Sequence, residues 1–161
     1  MLSHMRDHYC GLLTEADAGK VVHLSGWVQR TRDLGGVVFV WLRDREGLVQ
    51  LVFDATVCSP EIFNLGRSLR SEYVVTALGE VRLRDEAAIN RDLKTGAIEV
   101  FVQDAVLLNK SETPPIYIDD NANESETVRL KYRYLDLRKP SLQRNLRMRA
   151  KIASAVRAYM D

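Results

Sequence analysis

The side chains best suited to chemistry in this sequence are arginines, aromatics and an amide, and the chemistry they suit is binding. Arg30 and Arg32 close one strand-like run, Phe39 and Trp41 alternate along the next, and Gln50 sits centrally in a third. An exposed aromatic stacks an unpaired nucleobase for about 1–3 kcal/mol whatever the base. Gln and Glu then add directional hydrogen bonds to Watson–Crick edges. Phe39 and Trp41 also read as core residues, and Arg30 and Arg32 as a solvated strand end; the residues alone leave both readings open. Catalysis finds less support. The chain has no P-loop, GxGxxG, GxSxG or HExxH pattern. His4, His8 and His23 are remote from Cys10 and Cys58, and the two cysteines lack the spacing of a zinc or redox site. We expect no catalytic residue and no metal site. Asn109-Lys110-Ser111 and Asn123-Glu124-Ser125 match the glycosylation sequon, but without a secretory signal they read as ordinary surface sequence.

The background is that of a globular domain: 161 residues, 28% charged and 46% hydrophobic. That length suits one domain and a fraction. No apolar run is long enough for a membrane-spanning helix, so no membrane partner is expected. Met1 to Cys10 lacks the apolar stretch of a signal peptide, and together with the lone cysteines this points to a reducing, cytoplasmic setting. His4 precedes Met5, which reads as the natural start, with residues 1–4 a cloning remnant. The net charge of +1 averages two unlike regions: residues 1–123 carry 13 Lys+Arg against 18 Asp+Glu, and residues 124–161 carry 10 against 4. Such asymmetry hints at a polyanionic partner near the basic end.

The elements that must position these residues are mostly strands. Val21 to Arg32, Gly36 to Asp44, Gly47 to Phe53, Tyr73 to Arg84 and Ile98 to Leu108 are rich in Val, Leu and aromatics. In the second run Val38, Val40 and Leu42 alternate with Val37, Phe39, Trp41 and Arg43, which assigns them to opposite faces. Leu34-Gly35-Gly36 and Arg45-Glu46-Gly47 supply turns. A helix over Pro60 to Ser71, capped by Ser59, interrupts the strands after the third. Five strands with a helix between the third and fourth is the order of the oligonucleotide-binding (OB) barrel; an SH3-like barrel is the alternative. The fold class is therefore mainly β, followed by a hinge and a C-terminal helix.

Beyond Asn109 the strand signal stops. Ser111 to Asn123 reads as a linker. Asn123 with Glu126 suggests a capping box opening a short helix toward Tyr134. Ser141 is placed to cap a longer helix with apolar positions Leu142, Leu146, Ile152, Val156, Tyr159 and Met160. That helix has no stop signal before Asp161, and alone it is marginal in water. It either folds back on the barrel, pairs with another copy, or opens a further domain of a longer protein; the last is our expectation.

At this point a resemblance is visible. Gly26-Trp27-Val28-Gln29-Arg30-Thr31-Arg32-Asp33, the Phe39 strand, Arg43 to Gln50, Ile89-Asn90-Arg91-Asp92 through Gly96, and Ile98-Glu99-Val100 are similar to bacterial aspartyl-tRNA synthetases. So is Arg129 to Arg138, with its Arg133-Tyr134-Leu135-Asp136-Leu137-Arg138 core, and so is Tyr9-Cys10-Gly11. GWVxxxRD alone would also admit lysyl and asparaginyl relatives.

The resemblance implies an OB-fold anticodon-binding domain over residues 1–110, a hinge over 111–138, and the start of a class II catalytic domain over 139–161. It implies a parent that joins aspartate to ATP with Mg2+, transfers it to tRNA, and works as a homodimer. The chain itself should hold no cofactor. Carried over by position, Phe39 would stack on the central anticodon uridine, with Gln50 reading edges nearby. Glu99 would face the first base, where guanine's two edge donors suit a carboxylate. Arg30, Arg32, Arg70 and Arg82 would hold phosphates or base edges, and Asn90 completes the anticodon-binding set.

Two positions depart from many members specific for tRNA(Asp): Ala88 stands where they have Asn, and Leu93 where they have Met. Ala88 cannot offer an amide to the third anticodon base, so the resemblance implies an enzyme that serves the GUU anticodon of tRNA(Asn) as well as GUC. The rival readings are a free-standing OB protein binding single-stranded nucleic acid, or an asparaginyl or lysyl relative.

Overall fold

The computed structural model describes residues 6–160, so the expectations about His4, a start at Met5 and the terminal Asp161 fall outside the described residues. The chain divides into two compact units, one reaching to Thr113 and the other starting at Pro114.

In the first unit the alternating runs become five strands: β1 Val21–Asp33, β2 Val37–Arg43, β3 Leu48–Asp54, β4 Val74–Leu83 and β5 Ile98–Asn109. They close into a barrel in the order β1-β2-β3-β5-β4. Every pairing is antiparallel except β3 with β5, which runs parallel through Leu51↔Val100 and Val52↔Phe101. This is the OB topology expected from the strand order. The period of two explains the core: Leu24, Val28, Val40, Leu42, Leu51, Val81, Val100 and Val102 point inward and are fully or almost fully buried.

Plain alternation would also send Arg30 inward, two residues after the buried Val28. It does not, because the β1–β2 register shifts between Val28 and Arg30. Gln29 is the extra residue of a β-bulge, which turns every later β1 side chain to the opposite face. Arg30 then pairs with Trp41 and Arg32 with Phe39, all facing outward. The β4–β5 ladder shifts twice more, between Val74 and Val75 and between Leu78 and Gly79, where Gln103 of β5 is the extra residue. The strands approach closely here, and a Cβ on Gly79 would sit 2.4 Å from the Phe101 carbonyl oxygen.

The α-helix between β3 and β4, α1 Pro60–Ser68, has Ser59 as its N-cap, with Ser59 Oγ accepting from the Ile62 N–H at 3.3 Å. It stops at Ser68 rather than Ser71, because Leu69 is extended and fully buried. The lone His23 is a satisfied core residue, with Nε2 2.8 Å from Thr76 Oγ1. Cys10 and Cys58 are buried free thiols. The β2–β3 hairpin is organised by the buried Asp44. Its carboxylate accepts from the amides of Glu46 at 2.8 Å, Gly47 at 3.1 Å and, from the N-terminal segment, Cys10 at 2.6 Å.

In the second unit two caps differ from the sequence expectation. The short helix α2 Glu126–Lys131 starts after Ser125, and Asn123 forms no capping box. The neighbouring Glu124 is occupied elsewhere, accepting from the Tyr117 N–H at 2.9 Å and from Lys139 Nζ at 2.8 Å. The chain breaks at Tyr132 before α3 Arg133–Asp136. The buried Asp136 there takes Arg129 Nε at 2.9 Å and Arg133 Nη1 at 2.5 Å. The long helix α4 Pro140–Met160 begins one residue ahead of Ser141. Ser141 is therefore not its cap; Ser141 N and Oγ both donate to the carboxylate of Asp120, at 3.1 and 2.5 Å. No residue of α4 is buried, and Leu146, Ile152, Val156, Tyr159 and Met160 are exposed. Among the described residues no helix is long and apolar enough to cross a membrane.

One carboxylate on the first unit yields a pH signature. Asp17 receives Lys20 Nζ at 2.8 Å, the Thr14 N–H at 2.9 Å and Thr14 Oγ1 at 3.1 Å. The Lys20 bond, then those from Thr14, hold its carboxyl down at about 2 against an ordinary 3.8. A depressed folded-state value stabilises the fold above the ordinary value, and that contribution is lost as pH falls through about 2. NMR titration of the Asp17 carboxyl should therefore give a midpoint near 2, and the stability gap between wild type and Asp17→Asn should close between pH 4 and pH 2. A midpoint at the ordinary value would refute the assignment.

Candidate nucleic-acid interface

These register shifts leave an outward face built in rows across the barrel. One row runs from Arg30 on β1 to Trp41 on β2 and Gln50 on β3. Gln50 Nε2 donates to Glu99 Oε2 of β5 at 3.2 Å, and Glu99 pairs with Arg82 on β4. The next row runs from Arg32 through Phe39 and Val52 to Phe101 and then Glu80. Phe39, Trp41 and Phe101 are half-buried, so each keeps ring surface toward solvent.

The cations on this face differ in what holds them. Arg30 and Arg32 are exposed and make no hydrogen bond or ion pair among the described residues. Arg82 lies over the Phe101 ring at 4.2 Å and donates to Glu80 at 2.9 and 2.7 Å. Arg43, on the same strand face, is withdrawn from it by the Glu72 carboxylate at 2.6 and 2.8 Å and by Gln29.

A residue that the sequence reading passed over stands at the centre. Arg84 follows β4, and its side chain is only 5% exposed. Its Nε donates to the Ile98 carbonyl at 2.9 Å, and its guanidinium lies over Trp41 at 5.4 Å and 3.7 Å from Glu99 Oε2. Burial pushes the Glu99 carboxyl above its ordinary value; Arg84 and then Gln50 work against that. Burial likewise pushes Arg84 down, and Glu99 opposes it. Trp41 and Phe101 also belong to the face. The signal for Arg84 was the period-two series Glu80, Arg82, Arg84, and for Phe101 its place two residues after Glu99.

The segment between β4 and β5 covers one end of this face. Ala88 is exposed, in a turn of 3-10 helix over Glu86–Ala88. Asn90 is the organiser: its N–H donates to Gly96 O at 3.1 Å, its carbonyl accepts from Leu93 N at 3.3 Å, and its Oδ1 accepts from Asp92 N at 3.0 Å. The half-buried Leu93 closes the turn through its carbonyl and the Gly96 N–H at 3.0 Å. Thr95 Oγ1 pins the loop to Leu48 O at 2.6 Å.

The structure thus gathers Arg30, Arg32, Phe39, Gln50, Arg82 and Glu99 on one face, with Ala88, Asn90 and Leu93 in the adjoining loop. Arg70 is not gathered there; its Nη1 donates to the carbonyls of Arg67 at 2.9 Å and Leu69 at 2.8 Å, closing the C-terminal end of α1. Half-exposed rings, unpaired guanidiniums, a carboxylate and a carboxamide can together stack unpaired bases, hold phosphates and read base edges. Among the described residues no three His, Cys, Asp or Glu side chains gather as metal ligands.

Comparison with known proteins agrees with this chemistry. Residues 22–108 match the family described as OB-fold nucleic acid binding domain, and residues 125–161 match tRNA synthetases class II (D, K and N). The aspartate–tRNA ligase of Macrococcus caseolyticus (strain JCSC5402) is 51% identical over 156 residues, covering 97% of this chain and 26% of the relative. This chain therefore spans about a quarter of the length of that curated relative. The asparaginyl-tRNA synthetase of Pyrococcus horikoshii superposes with a TM-score of 0.78 at 28% identity, over 95% of this chain and 34% of that one. The aspartyl tRNA synthetase of Entamoeba histolytica gives a TM-score of 0.80 at 20% identity, over 91% and 35%, a likeness of fold.

The loop makes a sharp steric demand. A Cβ on Gly96 would sit 1.6 Å from the Asn90 carbonyl oxygen, a backbone atom that cannot turn aside. Gly96→Ala should open the loop while leaving the barrel closed, at a cost on the order of 1–3 kcal/mol. Hydrogen exchange should then lose protection at the Asn90 and Gly96 amides and keep it at Val40 and Leu51. Unchanged loop protection would refute the steric reading.

Proposed function

We propose, from the premise that this chain belongs to the OB-fold nucleic acid binding domain family, that it is the anticodon-reading part of an aspartate–tRNA ligase. The observation that carries the reading is the face of half-exposed aromatics, arginines, Gln50 and Glu99, in a chain 51% identical to such a ligase over 97% of its length. The whole enzyme, cytoplasmic and homodimeric in this reading, activates aspartate with ATP, releases pyrophosphate and transfers the aspartyl group to the terminal adenosine of tRNA. ATP and Mg2+ serve that chemistry, and no residue of this chain is assigned to hold them.

Within the anticodon GUC, Phe39 stacks on the central uridine and Gln50 reads an edge beside it. Glu99 takes the two edge donors of the first guanine, a pairing no pyrimidine reproduces. Its partly buried setting favours this use, since a hydrogen bond made away from bulk water discriminates more strongly. Arg30 and Arg32 take phosphates, and Arg82, seated on Phe101, supports the same path. Asn90 shapes the loop around the third base. Arg70 enters only by exchanging its α1 carbonyls for a phosphate. The Asp and Asn anticodons differ only at the third base, and the methyl of Ala88 cannot select between C and U by an amide contact. We therefore assign the enzyme relaxed selectivity, charging tRNA(Asn) as well, with Leu93 as the second position of that difference.

Binding of this chain to anticodon stem-loops tests the reading. A GUC loop should bind, a scrambled loop should not, and affinity should fall with rising salt by the slope of a few phosphate contacts. Phe39→Ala should weaken GUC binding roughly 5- to 150-fold, the worth of one base–aromatic stack, and Glu99→Gln should narrow the preference for guanine over adenine at the first position. Equal binding of the scrambled loop would favour a general single-strand binder instead. For the third base, charging assays with the complete ligase should yield aspartate on both tRNA(Asp) and tRNA(Asn); strict preference for tRNA(Asp) would end the relaxed-selectivity assignment.

A further inference from the structure

We propose that Arg84 is a positioning residue that couples the reading of the first and third anticodon bases; the proposal rests on the anticodon reading above. One guanidinium touches both places. Toward the first base it lies 3.7 Å from Glu99 Oε2, the carboxylate that Gln50 holds from the other side at 3.2 Å. Toward the third base its Nη1 reaches the carbonyl of Ala88 at 3.5 Å, and the Arg84 N–H donates to the Ala97 carbonyl at 2.9 Å. Its Nε bond to Ile98 O fixes the pivot, and Trp41 forms the floor beneath it.

The group is held unevenly. Its Nη2 is buried and has no hydrogen-bond partner, in a side chain only 5% exposed. Buried donors are normally satisfied, and this one gains a partner only when another acceptor arrives or the guanidinium moves. A guanidinium is planar and rigid, so its nitrogens cannot adjust one at a time. When a guanine draws the Glu99 carboxylate toward its own edge donors, the charge facing Arg84 shifts. The plane tilts about the Ile98 bond, and the Nη1 contact with Ala88 O tightens or breaks with it. The loop carrying Ala88 is thereby presented to the third base in a geometry that depends on the first. Two sites that bias one movable element share a coupling free energy, and the coupling is reciprocal.

The test is a base-by-base cycle on the full chain. Four stem-loops carry the anticodons GUC, GUU, AUC and AUU, and the Kd ratio GUC·AUU/(GUU·AUC) measures whether the two positions act independently. Wild type should depart from unity by at least about threefold. Arg84→Met, which keeps the stem and removes the donors, should bring the ratio to unity, and Arg84→Lys should restore part of the departure. Glu99→Gln, which removes the charge but keeps the shape, should also bring it to unity, and it keeps the test decisive if Arg84→Met fails to fold. A wild-type ratio of unity, or one unchanged in Arg84→Met or Glu99→Gln, overturns the coupling while leaving anticodon reading intact. Failure of GUC to outcompete a scrambled loop would instead remove the reading on which the coupling rests.

Discussion

Gln29 is one residue more than the β1–β2 ladder can accommodate, and the outward face depends on how that surplus is absorbed. Up to Val28 the even-numbered residues Val22, Leu24, Gly26 and Val28 line the inside, with His23 between them also buried. Without the bulge Arg30 would enter a core lined by Val40, Leu42 and Leu51, where an unpaired charge is prohibitive. The bulge makes the same sequence compatible with both halves of the strand: an apolar barrel wall first, then a row of arginines beside Phe39 and Trp41. In the β4–β5 ladder the surplus residue at the Leu78/Gly79 shift is Gln103 of β5: Val100 and Val102 face inward before it and Ala105 after it, while Glu99 and Phe101 stand outward opposite Arg82 and Glu80. Register, more than side-chain identity, determines which residues can meet a ligand.

Given that register, polar anchors hold the loops against the barrel ends. Asp44 ties the β2–β3 turn to the N-terminal segment through three amides, Thr95 ties the β4–β5 loop to β3, and Arg84 ties the same loop to β5. Each anchor is buried or nearly so and spends its hydrogen bonds on backbone atoms. That usage makes the anchors expensive to lose, because a broken bond strands a buried polar group. Asn90 works in the same way: its three bonds determine the course of the loop carrying Ala88 and Leu93.

The barrel was legible in the sequence because strand alternation and turn chemistry are local. Val38, Val40 and Leu42 occupy the inner face and Phe39 and Trp41 the outer one, as their spacing requires. What stayed hidden was set by distant partners. Ser141 looked like a cap, but Asp120, 21 residues earlier, supplies the acceptor. Asn123 and Glu126 had the spacing of a capping box, but the chain turns at Ser125 and Glu124 is taken by Tyr117 and Lys139. The bonds of Arg70 to the carbonyls of Arg67 and Leu69 likewise depend on where α1 ends. Arg84 continues the period-two series Glu80, Arg82, Arg84, but its importance comes from Trp41 and Glu99, which reach it only through barrel closure.

The distribution of ion pairs bears on selectivity. Residues 1–123 carry an excess of five acidic groups, a background that repels a polyanion. On it, Arg43 is paired with Glu72, Arg67 with Asp33, Arg82 with Glu80 and Arg84 with Glu99. Arg30 and Arg32 stand apart, exposed and without such partners. A uniformly basic face would gain from any nucleic acid, since counterion release is indifferent to sequence. In the reading proposed above, the acidic background keeps general attraction weak, and a strand gains most when it brings a phosphate to Arg30 and Arg32 and a base onto the adjoining rings. Placing a few free cations against an acidic background therefore shifts discrimination from charge to shape and hydrogen bonding, which is where Gln50 and Glu99 can act.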